Sequence, residues 1–436
     1  MRALGISRGA LVALNTSDMT ISLAVLLATS LLGARFVVAS RLLANSPGLE
    51  PTHFLRSPEA VGSKRVHFVE IDRTWQPHPG EDPDVATFDG FADDTAPWMY
   101  LHTSGSTGTP KYLSLSERVV FDRTVAIKGD FKFGQTTVAS LFGATMRPFF
   151  ARALGTLMNA GALVDSKDIT VWQRTGVNLV FASPEQLVTF LGDRVIAPKI
   201  QRVEVSGAKL EVGIARLLLQ SFETVTDVYG AGETNKTFAT RFTLQHDGSL
   251  RRKGERLDSE IEIVKPDGTP CANDEVGSVR VRNRYLVDGY LDNPEATTKA
   301  FRNGWFYPGD LANWGPSGEL LVIGRDDDII NLGGYKVPGL MIDFTLLTVP
   351  GVKDAACFKN PKPHAMAELL AFIVFDDLVD RKDVAEAAKR ACESRLGISL
   401  APRNIRAIDK IPRAPNGAPM RDICAQLLLE KYNEQA

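Results

Sequence analysis

The stretch YLHTSGSTGTPKYLSLSE, residues 100–117, concentrates groups suited to holding phosphate. Of the nine residues from Thr103 to Lys111, seven are Thr, Ser or Gly, and the last two are Pro110 and Lys111. Glycines let backbone N–H groups turn toward a ligand, and hydroxyls add further donors. Lys111 adds a positive charge. An apolar lead-in, Trp98-Met99-Tyr100-Leu101, reads as the end of a strand. The combination suits a polyphosphate. It does not have the common G-x-x-x-x-G-K-[ST] spacing, because Lys111 follows Pro110 and Tyr112 stands where a hydroxyl belongs. A plain surface turn is the bland alternative, since Gly and Ser are frequent in loops. A turn alone has little need of so many hydroxyls and a lysine after an apolar strand.

Three more segments carry polar groups at the ends of apolar runs. VYGAGETN (228–235) presents Tyr229, Gly230 and Glu233. GWFYPGDLA (304–312) places Asp310 after an aromatic-Pro-Gly turn, and GRDDDIINLGGYKV (324–337) places Arg325 ahead of three aspartates. Singly, each fits a solvated turn. Their order along one chain is the informative part.

The elements that must position these residues follow from the apolar pattern. Short apolar runs such as GALVAL (9–14), RFVVAS (35–40), TVASLFG (137–143), VNLVFAS (177–183) and QRVEVSG (201–207) alternate with amphipathic stretches. Strands alternating with helices predict an α/β fold with largely parallel sheets. From about 240 to 323 the pattern becomes alternating strands with Asp-Gly turns, a β-rich subdomain. After GRDDD a smaller α+β unit begins, with a helix over RKDVAEAAKRACESRL. The expected division is a large domain over 1–326 and a small one over 327–436.

Composition narrows the function classes. The 436 residues are 44% hydrophobic and 23% charged, as in an ordinary globular protein of two or three domains. A net charge of −2 gives no footing for nucleic acid. The four cysteines have neither disulfide-framework nor zinc spacing, so a reducing, cytoplasmic setting is expected. The apolar segment ISLAVLLATSLLGA (21–34) has 14 residues, short of the roughly 20 a membrane span needs. With Ser17 or Asp18 as a cap it reads as a buried helix. No signal peptide, lipidation motif or membrane partner is expected.

Taken in order, the motifs resemble those of the adenylate-forming superfamily of acyl-CoA synthetases, peptide-synthetase adenylation domains and luciferases. The similarity runs along nearly the whole chain, and TSGSTGTPK resembles the signature phosphate loop. What the resemblance implies is specific. Thr103, Ser104, Gly105, Ser106, Thr107, Gly108 and Lys111 would cradle the β- and γ-phosphates of ATP. Glu233 would hold Mg²⁺, a hard cation that takes carboxylate and phosphate oxygens. Asp310 would accept from the ribose hydroxyls, and Arg325 would reach the ribose or phosphate. Segment 206–210, with Gly207 and Ala208, would lie beside the adenine, flanked by Tyr229 and Gly230. Asp327 would be the hinge about which the small domain rotates. Gly333 and Gly334 would leave room for the pantetheine of CoA or of a carrier protein. The implied reaction is ATP-dependent activation of a carboxylic acid, then transfer to a thiol.

Three positions depart from the family pattern. The C-terminal lysine that meets the carboxylate and α-phosphate is here Ala418, in IPRAPNGAPMRD, flanked by Arg413 and Arg421. A missing preorganised cation costs several kcal/mol of transition-state stabilisation. This predicts a slow first step, a preserved thiol step, and a gain of about 10²-fold from Ala418→Lys. A flanking arginine could instead supply the charge. In FGATMRPFF (142–150), many relatives have a histidine near the acyl carboxylate, whereas this chain offers Arg147, which could meet an acidic substrate or simply face solvent. Gly232 stands where a hydroxyl residue is usual. The start of the chain also lies close to the first matching unit, so part of the usual N-terminal lobe is expected to be missing. The alternatives to an acid–CoA ligase are a stand-alone adenylation enzyme for an amino or aryl acid, or an impaired nucleotide-binding homologue.

Overall fold

The computed structural model describes residues 1–38, 49–56, 68–71, 75, 88–103, 111–208, 210–273, 275–326, 328–333, 335–361, 368–376, 379–413 and 419–433. Its first sheet runs Phe68–Glu70, His53–Arg56, Leu11–Asn15, Arg35–Val38, Pro97–Thr103, Lys111–Ser116. The first five strands are parallel and the last is antiparallel. The anticipated apolar helix is Met19–Leu31, and Asp18 caps it by accepting from the Ile21 N–H at 2.8 Å. Ser22, Leu23, Val25 and Leu26 are buried on this helix, so it is a core element. Among the described residues, no helix is long and apolar enough to cross a membrane.

The second sheet has seven strands, in the order Leu250–Arg256, Asn235–Leu244, Phe222–Ala231, Ile200–Ser206, Leu179–Ala182, Thr137–Ser140, Ala162–Val164. Its five strands from Phe222–Ala231 onward are parallel, and the inner ones, Leu179–Ala182 and Thr137–Ser140, have their apolar runs buried on both faces. A third, antiparallel sheet is built from Glu260–Val264, Gly277–Arg282, Phe301–Arg302, Trp305–Phe306, Asp310–Trp314 and Leu320–Arg325. This is the expected β-rich subdomain. The strands preceding it, Asn235–Leu244 and Leu250–Arg256, instead extend the second sheet. Asp-Gly turns alone cannot tell a new sheet from an antiparallel edge on an old one.

Past residue 328 comes a hairpin, Ile329–Leu332 with Tyr335–Pro338, then a three-stranded sheet of Val352–Lys359, Leu369–Phe375 and Asn404–Ala407. Three helices, Gly339–Leu347, Arg381–Leu396 and Arg421–Asn433, accompany it. This region has apolar clusters of its own, one centred on Ile342, Leu346, Ile373 and Cys392, the other on Phe358, Phe372 and Leu428. The four cysteines are free thiols.

Candidate active site

The first and last residues of the phosphate-type motif are paired. Strand Pro97–Thr103 ends where strand Lys111–Ser116 begins, and Thr103 is the ladder partner of Lys111. Residues 104–110, and with them Ser104, Gly105, Ser106, Thr107 and Gly108, lie outside the described residues. Thr103 and Lys111 both line a cavity of about 1340 Å³. The Lys111 ammonium lies 5.0 Å from the centre of the Tyr290 ring.

Glu233 reaches the same cavity from the turn after strand Phe222–Ala231. It is buried, and one carboxylate oxygen accepts from the Tyr290 hydroxyl at 2.7 Å. Arg123, itself buried, holds this turn by donating to the carbonyls of Gly232 (2.8 Å), Glu233 (2.7 Å) and Tyr285 (2.6 Å). Neither Arg123 nor Tyr290 stood out in the sequence. Arg123 lies on helix Glu117–Ala126, where a charged residue reads as a solvated face. Tyr290 lies in the loop before helix Pro294–Ala300, held by its backbone N–H donating to the Thr297 hydroxyl at 2.9 Å. No spacing rule marks either one. The only signal was an arginine on the apolar side of its helix and an aromatic beside a Gly.

A second polar group consists of Asp310 and Arg325, which line the cavity, and Tyr229, which bonds Asp310. Asp310 opens strand Asp310–Trp314, opposite Arg325 at the end of Leu320–Arg325. The Tyr229 hydroxyl donates to Asp310 Oδ2 at 2.6 Å, and Arg325 Nη1 lies 3.3 Å from Oδ1. Burial, then the adjacent Asp310 carboxylate, pushes the Tyr229 phenol well above its usual range. Tyr229 thus acts here as a hydrogen-bond donor. Gly207 follows strand Ile200–Ser206 with φ +93° and lines the cavity, as does Gly230. Ala208 is exposed and is not among the lining residues. Arg147, first residue of helix Arg147–Met158, also faces the cavity.

The small-domain residues stand elsewhere. Gly333, φ +63°, turns the hairpin between Ile329–Leu332 and Tyr335–Pro338. Asp327, Gly334 and Ala418 fall outside the described residues. Arg421 Nε and Nη2 pair with Asp328 at 2.6 and 2.7 Å, and Nη2 pairs with Asp343 at 2.8 Å. Arg413 Nε donates to Asp354 at 3.1 Å. Both arginines that flank the lysine position are therefore held by carboxylates of their own domain.

The donor set bears on a metal. Among the described residues there is no cluster of three or more His, Cys, Asp or Glu side chains that could hold an ion. A single buried carboxylate, oriented by a tyrosine, fits Mg²⁺, which is commonly held by one or two carboxylates together with phosphate oxygens and waters.

Comparisons with known proteins agree with this architecture. The AMP-binding enzyme family matches residues 56–291, more than half of the 436-residue chain, and the AMP-binding enzyme C-terminal domain matches 342–418. The chain belongs to the AMP-binding enzyme family and is an AMP-forming acid–thiol ligase. It is 26% identical over 363 residues to oxalate–CoA ligase of Arabidopsis thaliana, covering 78% of this chain and 68% of that one. It is 27% identical over 350 residues to 3-hydroxybenzoate–CoA/4-hydroxybenzoate–CoA ligase of Thauera aromatica, covering 74% and 65%. Sulfoacetate–CoA ligase of Cupriavidus necator is 27% identical over 341 residues, covering 75% and 66%. The chain thus spans about two thirds of the length of these relatives. The fold is that of O-succinylbenzoate coenzyme A synthetase of Bacillus subtilis, solved with AMP, at a TM-score of 0.80 and 19% identity over 97% of this chain and 89% of that one. The same enzyme has been solved with ATP and a magnesium ion.

Proposed function

We propose that the protein uses ATP to activate a small carboxylic acid and passes the acyl group to the thiol of CoA. In the first step a carboxylate oxygen bonds to the α-phosphorus, and the bond to the pyrophosphate oxygen breaks. In the second, the thiol sulfur bonds to the acyl carbon, AMP leaves with its oxygen, and the thiol proton passes to water.

The observation that carries this reading is a cavity lined by Asp310 and Arg325 together with Thr103, Lys111 and Glu233, with Tyr229 bonded to Asp310. Asp310 would accept from the ribose hydroxyls while Tyr229 and Arg325 hold its orientation. The adenine would lie along Gly207 and Ala208. Lys111 and Thr103, with Ser104, Gly105, Ser106, Thr107 and Gly108, would take the polyphosphate. Glu233 would hold Mg²⁺, and the bound ion would neutralise phosphate charge. The small domain would begin at the hinge Asp327 and bring Gly333 and Gly334 to the pantetheine. The relatives that act on oxalate, hydroxybenzoates and sulfoacetate support a small acid and CoA as acceptor.

The test is pyrophosphate release over oxalate, sulfoacetate, benzoate and 3-hydroxybenzoate, with and without CoA. Release with one of these acids, and thioester only when CoA is present, is expected. Thioester formed only on a carrier-protein pantetheine would move the acceptor to that partner. If no acid yields pyrophosphate and synthetic benzoyl-adenylate is not consumed, the chain binds nucleotide without ligating.

A further inference from the structure

Covalent order fixes where the reacting phosphorus must lie. The α-phosphate joins the ribose to the β- and γ-phosphates. With the ribose at Asp310 and the polyphosphate at Lys111 and Glu233, it lies between those groups, in the cavity that the turn Gly230–Glu233 also lines. Arg147 stands at this turn. A Cβ added to Gly232 would fall 3.7 Å from Arg147 Cδ, 3.1 Å from Thr103 Cγ2 and 2.9 Å from Leu113 Cδ1. A side chain at 232 would be crowded by Leu113 and Thr103 and would lie in ordinary contact with the Arg147 stem. Two of the departures from the family pattern, a glycine at 232 and an arginine at 147, are thus direct neighbours on the cavity wall.

Arg147 differs from the arginines around it. Arg123 is consumed by three carbonyls. Arg152 pairs with Glu204 at 2.5 Å, and Glu204 is shared with Lys236 at 2.6 Å. Arg147 has no hydrogen bond or ion pair among the described residues, although it is half-buried and faces the cavity. Burial, then the neighbouring Arg152, lowers its pKa to about 10, with Glu233 opposing, so it is still charged at neutral pH. A half-buried guanidinium without a hydrogen-bonded partner is costly, and an arriving anion offsets that cost.

We propose that Arg147 is a catalytic residue of the first step, holding the charge shared by the attacking carboxylate and the α-phosphate in place of the absent lysine at position 418. The proposal rests on the adenylation reading above. Two anions must approach each other for the carboxylate to attack, and a fixed cation at the point of approach lowers that barrier. Arg413 and Arg421 are tied to Asp354, Asp328 and Asp343 and are not free for this role. The expectation drawn from Ala418 alone, a crippled first step, changes accordingly: the cation is carried by the large domain.

The experiment separates the half-reactions in the full chain. Pyrophosphate release is measured with oxalate and with benzoate, consumption of synthetic benzoyl-adenylate by CoA is measured separately, and AMP affinity reports the folded site. Arg147→Met should lower kcat for pyrophosphate release by about 10²-fold or more with either acid. Adenylate consumption and AMP affinity should stay within about threefold, and Arg147→Lys should recover part of the loss. In the wild-type background Ala418→Lys should add less than about tenfold, whereas in Arg147→Met it should restore most of the rate. An unchanged kcat in Arg147→Met overturns the proposal, as does a 10²-fold gain from Ala418→Lys alone. A raised KM confined to oxalate, with benzoate untouched, also overturns it and gives Arg147 to a second acidic group of the substrate. A wild-type protein that neither releases pyrophosphate nor consumes benzoyl-adenylate sinks the adenylation reading itself, and this proposal with it.

Discussion

Arg147 and Arg421 are the same residue in opposite surroundings. Arg421 meets two carboxylates, Asp328 and Asp343, and the Cys357 carbonyl, with its side chain 12% exposed. Burial alone would lower its pKa, yet Asp328 and Asp343 hold it above the usual arginine value. Arg147 meets no carboxylate in a hydrogen bond, and burial lowers it to about 10. One guanidinium is finished within the fold, and the other is left waiting. A buried charge whose partners all come from the chain is structural. A half-buried charge facing a cavity without a hydrogen-bonded partner points to a ligand, which supplies the contact the fold does not.

If that contrast is sound, neutralising the finished arginine should damage stability and spare the ligand site. Arg421→Met would leave Asp328 and Asp343 facing each other without their cation, and Asp343 is 3% exposed. Removing one partner of a buried pair costs about 3–5 kcal/mol. Urea unfolding followed by circular dichroism should show that loss, while AMP affinity measured below the transition stays near wild type. A loss under about 1 kcal/mol would mean Arg421 is as dispensable as an exposed ion pair, and the contrast would fail from its structural side.

Lys111 belongs with Arg147: it faces the cavity, and its ammonium lies over the Tyr290 ring. Lys111→Ala should weaken MgATP binding by about 1.5–3 kcal/mol, the size of a charge-assisted hydrogen bond. Unfolding should move little. Equal MgATP affinity by calorimetry for the two proteins would remove Lys111 from the polyphosphate.

Asp310 lies between the two cases, because it is partly satisfied by Tyr229 and Arg325 and still lines the cavity. Asp310→Ala should weaken AMP and MgATP alike, by about 1–2 kcal/mol, since both carry the ribose. A variant that loses MgATP while holding AMP at wild-type affinity would place Asp310 on phosphate rather than on sugar.

How much of this was legible beforehand follows from distance along the chain. Lys111, Glu233 and Asp310 were found because each sits in a short motif at a strand end, where local pattern is enough. The parallel sheets, the helix at Met19–Leu31 and the helix at Arg381–Leu396 followed from apolar periodicity in the same way. Partnerships were not legible. Tyr229 bonds Asp310 across 81 positions, Arg123 holds carbonyls more than 100 positions away, and Arg421 reaches Asp328 across 93. Whether an arginine is committed or waiting is a property of those long-range contacts. For that reason Arg413 and Arg421 look interchangeable in the sequence as replacements for a missing lysine, and Arg147 points there only to an acidic substrate or to solvent.

The smallest effect tests whether a neutral partner can prepare a site without completing it. The Tyr290 hydroxyl donates to one oxygen of Glu233 at 2.7 Å, and its ring lies under the Lys111 ammonium. Burial, then the Glu233 carboxylate, raises the Tyr290 phenol, so it stays a donor throughout the working pH range. With one oxygen held by the hydroxyl, the carboxylate is oriented by a neutral donor and not by a hydrogen-bonded cation. Tyr290→Phe keeps the ring and removes only the donor. Supporting hydrogen bonds of this kind are worth about tenfold or more in metal affinity, close to 1.4 kcal/mol. The Mg²⁺ concentration giving half-maximal ATP binding should therefore rise by about tenfold. AMP affinity measured without Mg²⁺ should not change, because Asp310 and its partners are untouched. If the Mg²⁺ requirement is unaltered, Glu233 needs no help to face the ion, and Tyr290 matters only for its ring. If AMP affinity falls as well, the hydroxyl supports the shape of the whole cavity and not the carboxylate alone.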